Sequence, residues 1–302
     1  MGRFDFIDEP TQVLAEAADF LAGEPVLTTV LATVTARAAA DDAAGVPREA
    51  KAPRWWCLAR DSVGAVVGMA MRTTLGAPYP IYVIGLDGDR AAELARVLLA
   101  RVDEPAISAV NGSAESSAAL LGEIARHRGG TVVVEVRNRL FEARAVTTPP
   151  RPPGGSRLAQ AEDVDIVDDW WGRFHREAAA QAGRAPSPGD AAFAMSREDV
   201  ARRIANSLVA LWENEGRVVS MVGISAPAAG VCRVGPVYTP PQERGKGYAG
   251  AAVADLTAAT LAEGNRCCLF TDLANPTSNR LYQSIGYEPV TDMVALVLHD
   301  GS

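Results

Sequence analysis

The sequence predicts a mixed α/β (α+β) protein built from two tandem halves that share one order of elements. Three observations predict it. Residues 147–155, TTPPRPPGG, hold four prolines and two glycines with no apolar periodicity, and read as an extended linker near the middle of the 302-residue chain. The motif G-x-V-V-x-M occurs at Gly64–Met69 and again at Gly216–Met221, each time after a turn between two strand-like runs. After each of these hairpins the chain repeats strand, helix, strand, helix, strand. The expected boundaries are therefore 1–146, a linker at 147–155, and 156–302.

In the first half, CLARDSVGAVVGMAMRT is the hairpin, turning at Asp61–Gly64. It is followed by the strand YPIYVIGLD, the helix RAAELARVLLARV, the strand AISAVNG, a second helix and the strand GTVVVEVRNRLFEAR. In the second half, ALWENEGRVVSMVGISA turns near Asn214–Gly216 and leads to the strand VCRVGPVYT. The helix YAGAAVADLTAATLAEG comes next, with Ala249, Val253, Leu256 and Thr260 spaced as one amphipathic stripe. The strand CCLFTDLAN, a second helix and the strand PVTDMVALVLH complete it. Asn111 and Asn275 mark corresponding places in the two halves. The main addition to the second half is the loop PPQERGKG; the first half keeps the architecture and lacks that loop.

Composition narrows the function. With 48% hydrophobic and 22% charged residues the chain is globular, and no apolar run is long enough to cross a bilayer. The beginning MGRFDFIDEP has no apolar core, so the expectation is no secretory signal and a cytoplasmic protein. A net charge of −8 argues against nucleic acid as a partner and mildly favours cationic substrates such as amines. Cys57, Cys232, Cys267 and Cys268 have no metal-ligand spacing with one another or with His127, His175 and His299, and read as buried free thiols. No metal is expected.

The chain has only two lysines, and one, Lys246, stands between Gly245 and Gly247 where a strand end meets a helix start. The first turn of a helix leaves backbone N–H groups unpaired, and its dipole favours an anion. Glycines there admit positive φ and close approach, and Arg244 and Lys246 add charge. These residues describe a phosphate or pyrophosphate cradle. The P-loop spacing is absent, and GKGYAG is one step away from the dinucleotide pattern. Two plainer readings stand beside this one: a tight turn for the glycine pair, and a solvated loop residue for Lys246.

RGKGYA, Arg244 to Ala249, resembles the R/Q-x-x-G-x-G/A acetyl-coenzyme A signature of the GNAT acetyltransferase superfamily. FTDLANPTSNRLYQSIGYEPV, Phe270 to Val290, resembles the segment that follows it in that family, N-x-x-L-Y-x-x-x-G-[FY]. GPVYTPP and LFTDLANPTSN are similar to the subgroup related to glycine N-acyltransferases and predicted bacterial acetyltransferases. The motifs cover about residues 231–290, and the order of elements extends the match over 156–302. The resemblance implies tandem GNAT-like domains, each a mixed, mostly antiparallel central sheet flanked by helices. It also implies acetyl-coenzyme A as cosubstrate. The amides of Gly245, Lys246, Gly247, Tyr248 and Ala249 would hold the pyrophosphate, with Arg244 and Lys246 assisting. The strand through Val237, Tyr238 and Thr239 would run beside the pantetheine arm, one amide polarising the thioester carbonyl.

Asn275–Pro276 reads as an N-cap followed by proline at the first helical position. On that helix Leu281 and Ile285 share a core face, and Asn279 and Tyr282 share another. Transfer of an acyl group to an amine needs a neutral amine, oxyanion stabilisation and a proton for the departing thiolate. A tyrosine hydroxyl beside the sulfur can supply that proton. The resemblance gives this role to Tyr282, and to Asn275 or Asn279 a cofactor contact; the plainer reading of Tyr282 is a packing residue. For a general base the candidates are His175, Glu177, Glu213 and Asp272. Val167, Trp171, Phe174 and Ala178 form the apolar stripe of their helix, so His175 and Glu177 are expected in solvent, and none of the four is selected. No cysteine has a basic partner in sequence, so direct transfer in a ternary complex is expected.

In the first half, Asp87 and Asp89 stand where amides would meet phosphate, and Ser116 to Leu120 offers no tyrosine in the place of Tyr282. That half is expected to be cofactor-free and to help shape the acceptor pocket, with Trp55, Trp56 and Tyr79 as apolar walls or core. The leading expectation is a coenzyme A-dependent N-acetyltransferase acting on a primary amine of a small or amino-acid-like molecule. The alternatives are a protein N-acetyltransferase and a non-catalytic acyl-coenzyme A sensor. No membrane or nucleic-acid partner is expected, and homo-oligomer formation is left open.

Overall fold

A computed structural model describes residues 3–46, 52–74, 77–101, 106–181, 183 and 195–299. Two compact units emerge, Met1–Asn138 with Asp292–Ser302, and Arg139–Thr291. They do not follow the expected halves at their ends. The last strand of each half crosses from one unit into the other, β6 (Thr131–Ala143) at Arg139 and β12 (Tyr287–His299) at Asp292.

The first unit opens with β1 (Arg3–Ile7) and the helices α1 (Pro10–Glu16), α2 (Ala18–Gly23) and α3 (Thr29–Ala43). The hairpin β2 (Trp55–Arg60) and β3 (Val66–Arg72) follows, then β4 (Ile81–Ile84), α4 (Gly88–Leu99), β5 (Ala109–Ser113) and α5 (Ala114–Arg128). Its strand order is β1-β2-β3-β4-β5-β12. β4 and β5 are parallel and the other neighbours antiparallel, with Met293 opposite Ser113 and Val297 opposite Ala109. Trp55 and Trp56 are core residues rather than pocket walls, 3% and 0% exposed.

The second unit contains β7 (Gly155–Leu158), α6 (Val164–Gln181), α7 (Arg197–Ala205), β8 (Val209–Asn214), β9 (Arg217–Ile224), β10 (Val231–Tyr238), α8 (Tyr248–Ala262), β11 (Arg266–Asp272) and α9 (Pro276–Ser284). Its order is β6-β11-β10-β9-β8-β7, with β10 and β11 parallel. Each unit contains a hairpin followed by strand, helix, strand and helix, and the sheet of each is mixed and mostly antiparallel. The β8–β9 turn places Glu215 and Gly216 at φ 51° and 70°, the positive pair that a two-residue hairpin needs.

The Pro-rich segment is extended and lies along the second unit. Arg151 grips Asp255 of α8 with both terminal nitrogens, at 3.0 and 3.1 Å, and Trp212 Nε1 donates to the Pro153 carbonyl. The α8 stripe is wider than the spacing suggests, because Tyr248 and Gly250 to Ala254 are all buried. Finally, the N-cap of α5 is Ser113, so Asn111 inside β5 is not the counterpart of Asn275.

Candidate active site

The site forms where β10 leaves β11. The parallel pairing runs from Val231–Arg266 only to Val234–Leu269, whereas β9 stays paired with β10 out to Tyr238. The cause is a bulge between Val234 and Val237, with Gly235 at φ 142°. Gly223 on β9 makes room for it, since a Cβ there would stand 2.9 Å from the Gly235 carbonyl oxygen. The bulge also shifts the side-chain alternation. Cys232, Val234 and Val237 pack on the α8 and α9 side, and Tyr238 turns to the α6 side, against Trp170. The main chain of residues 235–239 is thus freed from its parallel neighbour. In the first unit the strands stay zipped from Ile81–Val110 to Val83–Gly112, near the end of β4.

Below this wedge α8 begins. Its N-cap is Gly247 at φ 87°, preceded by Gly245 at φ 76°, and no side chain caps the helix. Its first turn contains no acidic residue. Among the described residues no side chain accepts from the first-turn amides of this helix. At the corresponding helix of the first unit the donors are filled. Asp87 accepts from the Arg90 amide at 2.8 Å, and Glu115 accepts from the Gly88 amide at 3.1 Å. From the sequence Asp87 is expected here for its charge and not as a cap, and Glu115, which comes from α5, 27 positions away, is not identified.

Both basic side chains of the loop already hold an acid. Lys246 Nζ lies 2.8 Å from Glu243, and Arg244 lies 2.5 Å from Glu177 while its Nε donates to the Thr239 carbonyl. Thr239 is fixed further by Ser220, whose hydroxyl stands 2.8 Å from Thr239 Oγ1 and 3.2 Å from the Tyr238 carbonyl. Tyr248 contributes its amide only: its ring is buried, and its hydroxyl meets Asn214.

On α9, Asn275 Oδ1 accepts from the Ser278 amide, the N-cap the sequence predicts. Asn279 Nδ2 donates to the carbonyls of Asp272 and Asn275, fastening the helix start to the end of β11. Leu281 is only half-buried, resting on Gly250, whereas Tyr282 and Ile285 are in the core. Tyr282 is 8% exposed, packed edge-on against Tyr287 with ring centroids 6.0 Å apart. Burial pushes its phenol up to about 12. Among the described residues no group hydrogen-bonds its hydroxyl, and that oxygen is not among the fully enclosed unpartnered atoms. Its ring is anchored against Tyr287.

The candidate bases are engaged. Glu177, expected in solvent, accepts the Tyr238 hydroxyl as well as Arg244; Glu213 is bound to Arg157, and Asp272 accepts from the Ala274 amide. His175 lies edge-on to Phe174. All four cysteines are buried and none is in a disulfide; burial pushes Cys232 up to about 11 and raises Cys57 and Cys267. Among the described residues no cluster of three or more His, Cys, Asp or Glu could hold a metal ion, and no helix is long and apolar enough to cross a membrane.

Residues 165–287 match the family model described as acetyltransferase (GNAT) family. No curated protein matches the chain in sequence. Among solved structures the chain resembles a Drosophila protein with a TM-score of 0.66 at 14% identity, covering 99% of each chain. It also resembles a GNAT-family acetyltransferase from Colwellia psychrerythraea (TM-score 0.55, 10% identity, 99% of this chain and 100% of that one). A third likeness is to a GCN5-related N-acetyltransferase from Sphaerobacter thermophilus (TM-score 0.57, 16% identity, 97% and 94%). At such identities the likeness shows the fold, and it shows it over both units.

Proposed function

We propose that the chain is a coenzyme A-dependent N-acyltransferase, on the match of residues 165–287 to the acetyltransferase (GNAT) family model. Its reaction is transfer of acetyl from acetyl-coenzyme A to a primary amine of a small molecule. The observation that carries this reading is the contrast between two equivalent helices: α4 is capped by Asp87 and Glu115, and α8 begins with uncapped glycines beside a strand wedge. A helix start without a cap, next to main chain released from its sheet, fits a long ligand with a pyrophosphate at one end.

In this reading the amides of Gly245 to Ala249 hold the pyrophosphate. Main-chain groups of Val237 to Thr239 align the pantetheine arm, and one of these amides stabilises the oxyanion. The neutral acceptor amine attacks the thioester carbonyl carbon and forms the carbon–nitrogen bond; the carbon–sulfur bond breaks, the thiolate takes a proton from Tyr282, and the proton shed by the nitrogen passes through water and restores the phenol. Burial keeps that phenol neutral across working pH, so it serves as a donor and never as a base. Direct transfer is favoured because burial holds Cys57, Cys232 and Cys267 as neutral thiols. The net charge of −8 favours a cationic acceptor.

The test is calorimetric titration of the whole chain with acetyl-coenzyme A and with free coenzyme A, followed by thiol release against a panel of primary amines. The expected result is one site per chain and amine-dependent release. Absence of binding sinks the proposal; two sites contradict the silent first unit.

A further inference from the structure

Glu177 lies on α6, across the sheet from α8, and its carboxylate has two owners. Oε1 accepts the Tyr238 hydroxyl at 2.9 Å and Oε2 accepts Nη2 of Arg244 at 2.5 Å. Tyr238 is 2% exposed, with its ring against Trp170 at 5.6 Å, so Glu177 is fixed by a side chain that cannot move with it. Arg244 is held a second time, by its Nε on the Thr239 carbonyl, and lies 6.0 Å over the Tyr238 ring. One carboxylate therefore ties α6, the free end of β10 and the last residue before the cradle glycines.

Resting on the coenzyme A reading above, we propose that Glu177 is a positioning residue for the anion cradle. It holds Arg244 and the Thr239–Arg244 segment in the geometry that receives a phosphate. Two physical effects oppose each other here, and their balance makes the proposal testable. Glu177 neutralises Arg244, so on charge alone its loss would strengthen anion binding. Ordering acts the other way: a long side chain and a loop already fixed lose less freedom when the ligand arrives. The pair is one-third exposed on each side, which screens the charge effect and leaves ordering dominant.

The experiment is a double-mutant cycle with Glu177→Gln and Arg244→Gln, reading acetyl-coenzyme A affinity by calorimetry and backbone exchange of the peptide covering 239–249 by mass spectrometry. Glu177→Gln is expected to weaken binding about fivefold and to speed exchange, and to add nothing in the Arg244→Gln background. Tyr238→Phe, which removes only the hydroxyl that fixes the other carboxylate oxygen, must shift both readouts in the same direction. Tighter binding, additive effects, or a lower Tm with unchanged affinity and exchange each overturn the proposal. If the wild-type chain takes up no acetyl-coenzyme A, the functional reading fails, and the exchange data alone decide the brace: unchanged exchange refutes it.

Discussion

Replacing Gly247 by alanine tests the cradle at its hinge. In the folded chain Gly247 has φ 87°, and an added Cβ would meet only Pro152, at 3.9 and 4.0 Å, ordinary contact distances. Steric collision with the protein is thus not the cost. The cost is holding an L-residue at positive φ, about 1–2 kcal/mol. In a unit of this size that is a fall in Tm of roughly 2–8 °C. The chain can relieve the strain by rotating the peptide, but then the amides around 247 and 248 turn out of the cradle. Each lost hydrogen bond to a charged phosphate is worth about 1.5–3 kcal/mol, so affinity for acetyl-coenzyme A should fall at least tenfold. Lys246→Gln is the control. That lysine is half exposed and already paired with Glu243, so its loss should change affinity about twofold or less. Calorimetry on the two variants and the wild type reads the difference. Wild-type affinity and Tm for Gly247→Ala, or a larger loss for Lys246→Gln, would refute the argument that backbone geometry and not side-chain charge makes the site.

Tyr282→Phe should leave coenzyme A affinity unchanged and lower kcat about a hundredfold, measured by thiol release. The same tyrosine predicts alkaline behaviour. Its folded value, pushed up to about 12, exceeds the unfolded value of about 10, so stability is unaffected below pH 10 and is lost as pH rises from 10 through 12, by roughly 3 kcal/mol; denaturant titrations of wild type and Tyr282→Phe at pH 9 and 11 separate it. Asp163, buried and bound to both terminal nitrogens of Arg157, has its carboxyl lowered chiefly by that hydrogen bond, so its contribution is present at neutral pH and lost as pH falls below about 4. Asp163→Asn should cost about 2 kcal/mol at pH 7 and flatten the acid limb of a stability–pH curve. Asp87→Ala removes the cap of α4 and should cost about 1 kcal/mol in a denaturant titration without altering acetyl-coenzyme A binding.

The sequence by itself determined the two hairpins and the helices and strands that follow them, because those are local matters; β1, the helices α1 to α3, β7 and α7 were not read from it. Hairpins announce themselves through turns such as Asn214–Gly216, and helix starts through Asn275–Pro276 and the glycines around Lys246. What only the tertiary structure decided depends on partners remote in the chain. Glu115 accepts from the Gly88 amide at the start of α4 from a different helix, so that contact left no local signal. Glu177 looked solvated from the spacing of α6, yet it is engaged by Tyr238 and Arg244, residues 61 and 67 positions away. The Pro-rich segment looked like a linker because its composition forbids regular structure, but composition is silent on what an extended chain lies against: Arg151 finds Asp255 and Trp212 finds Pro153 only in the fold. The crossing of β6 and β12 between units was hidden for the same reason. A strand pattern fixes which face is apolar and leaves open which neighbour supplies the hydrogen bonds; register and pairing are settled only when the sheet assembles.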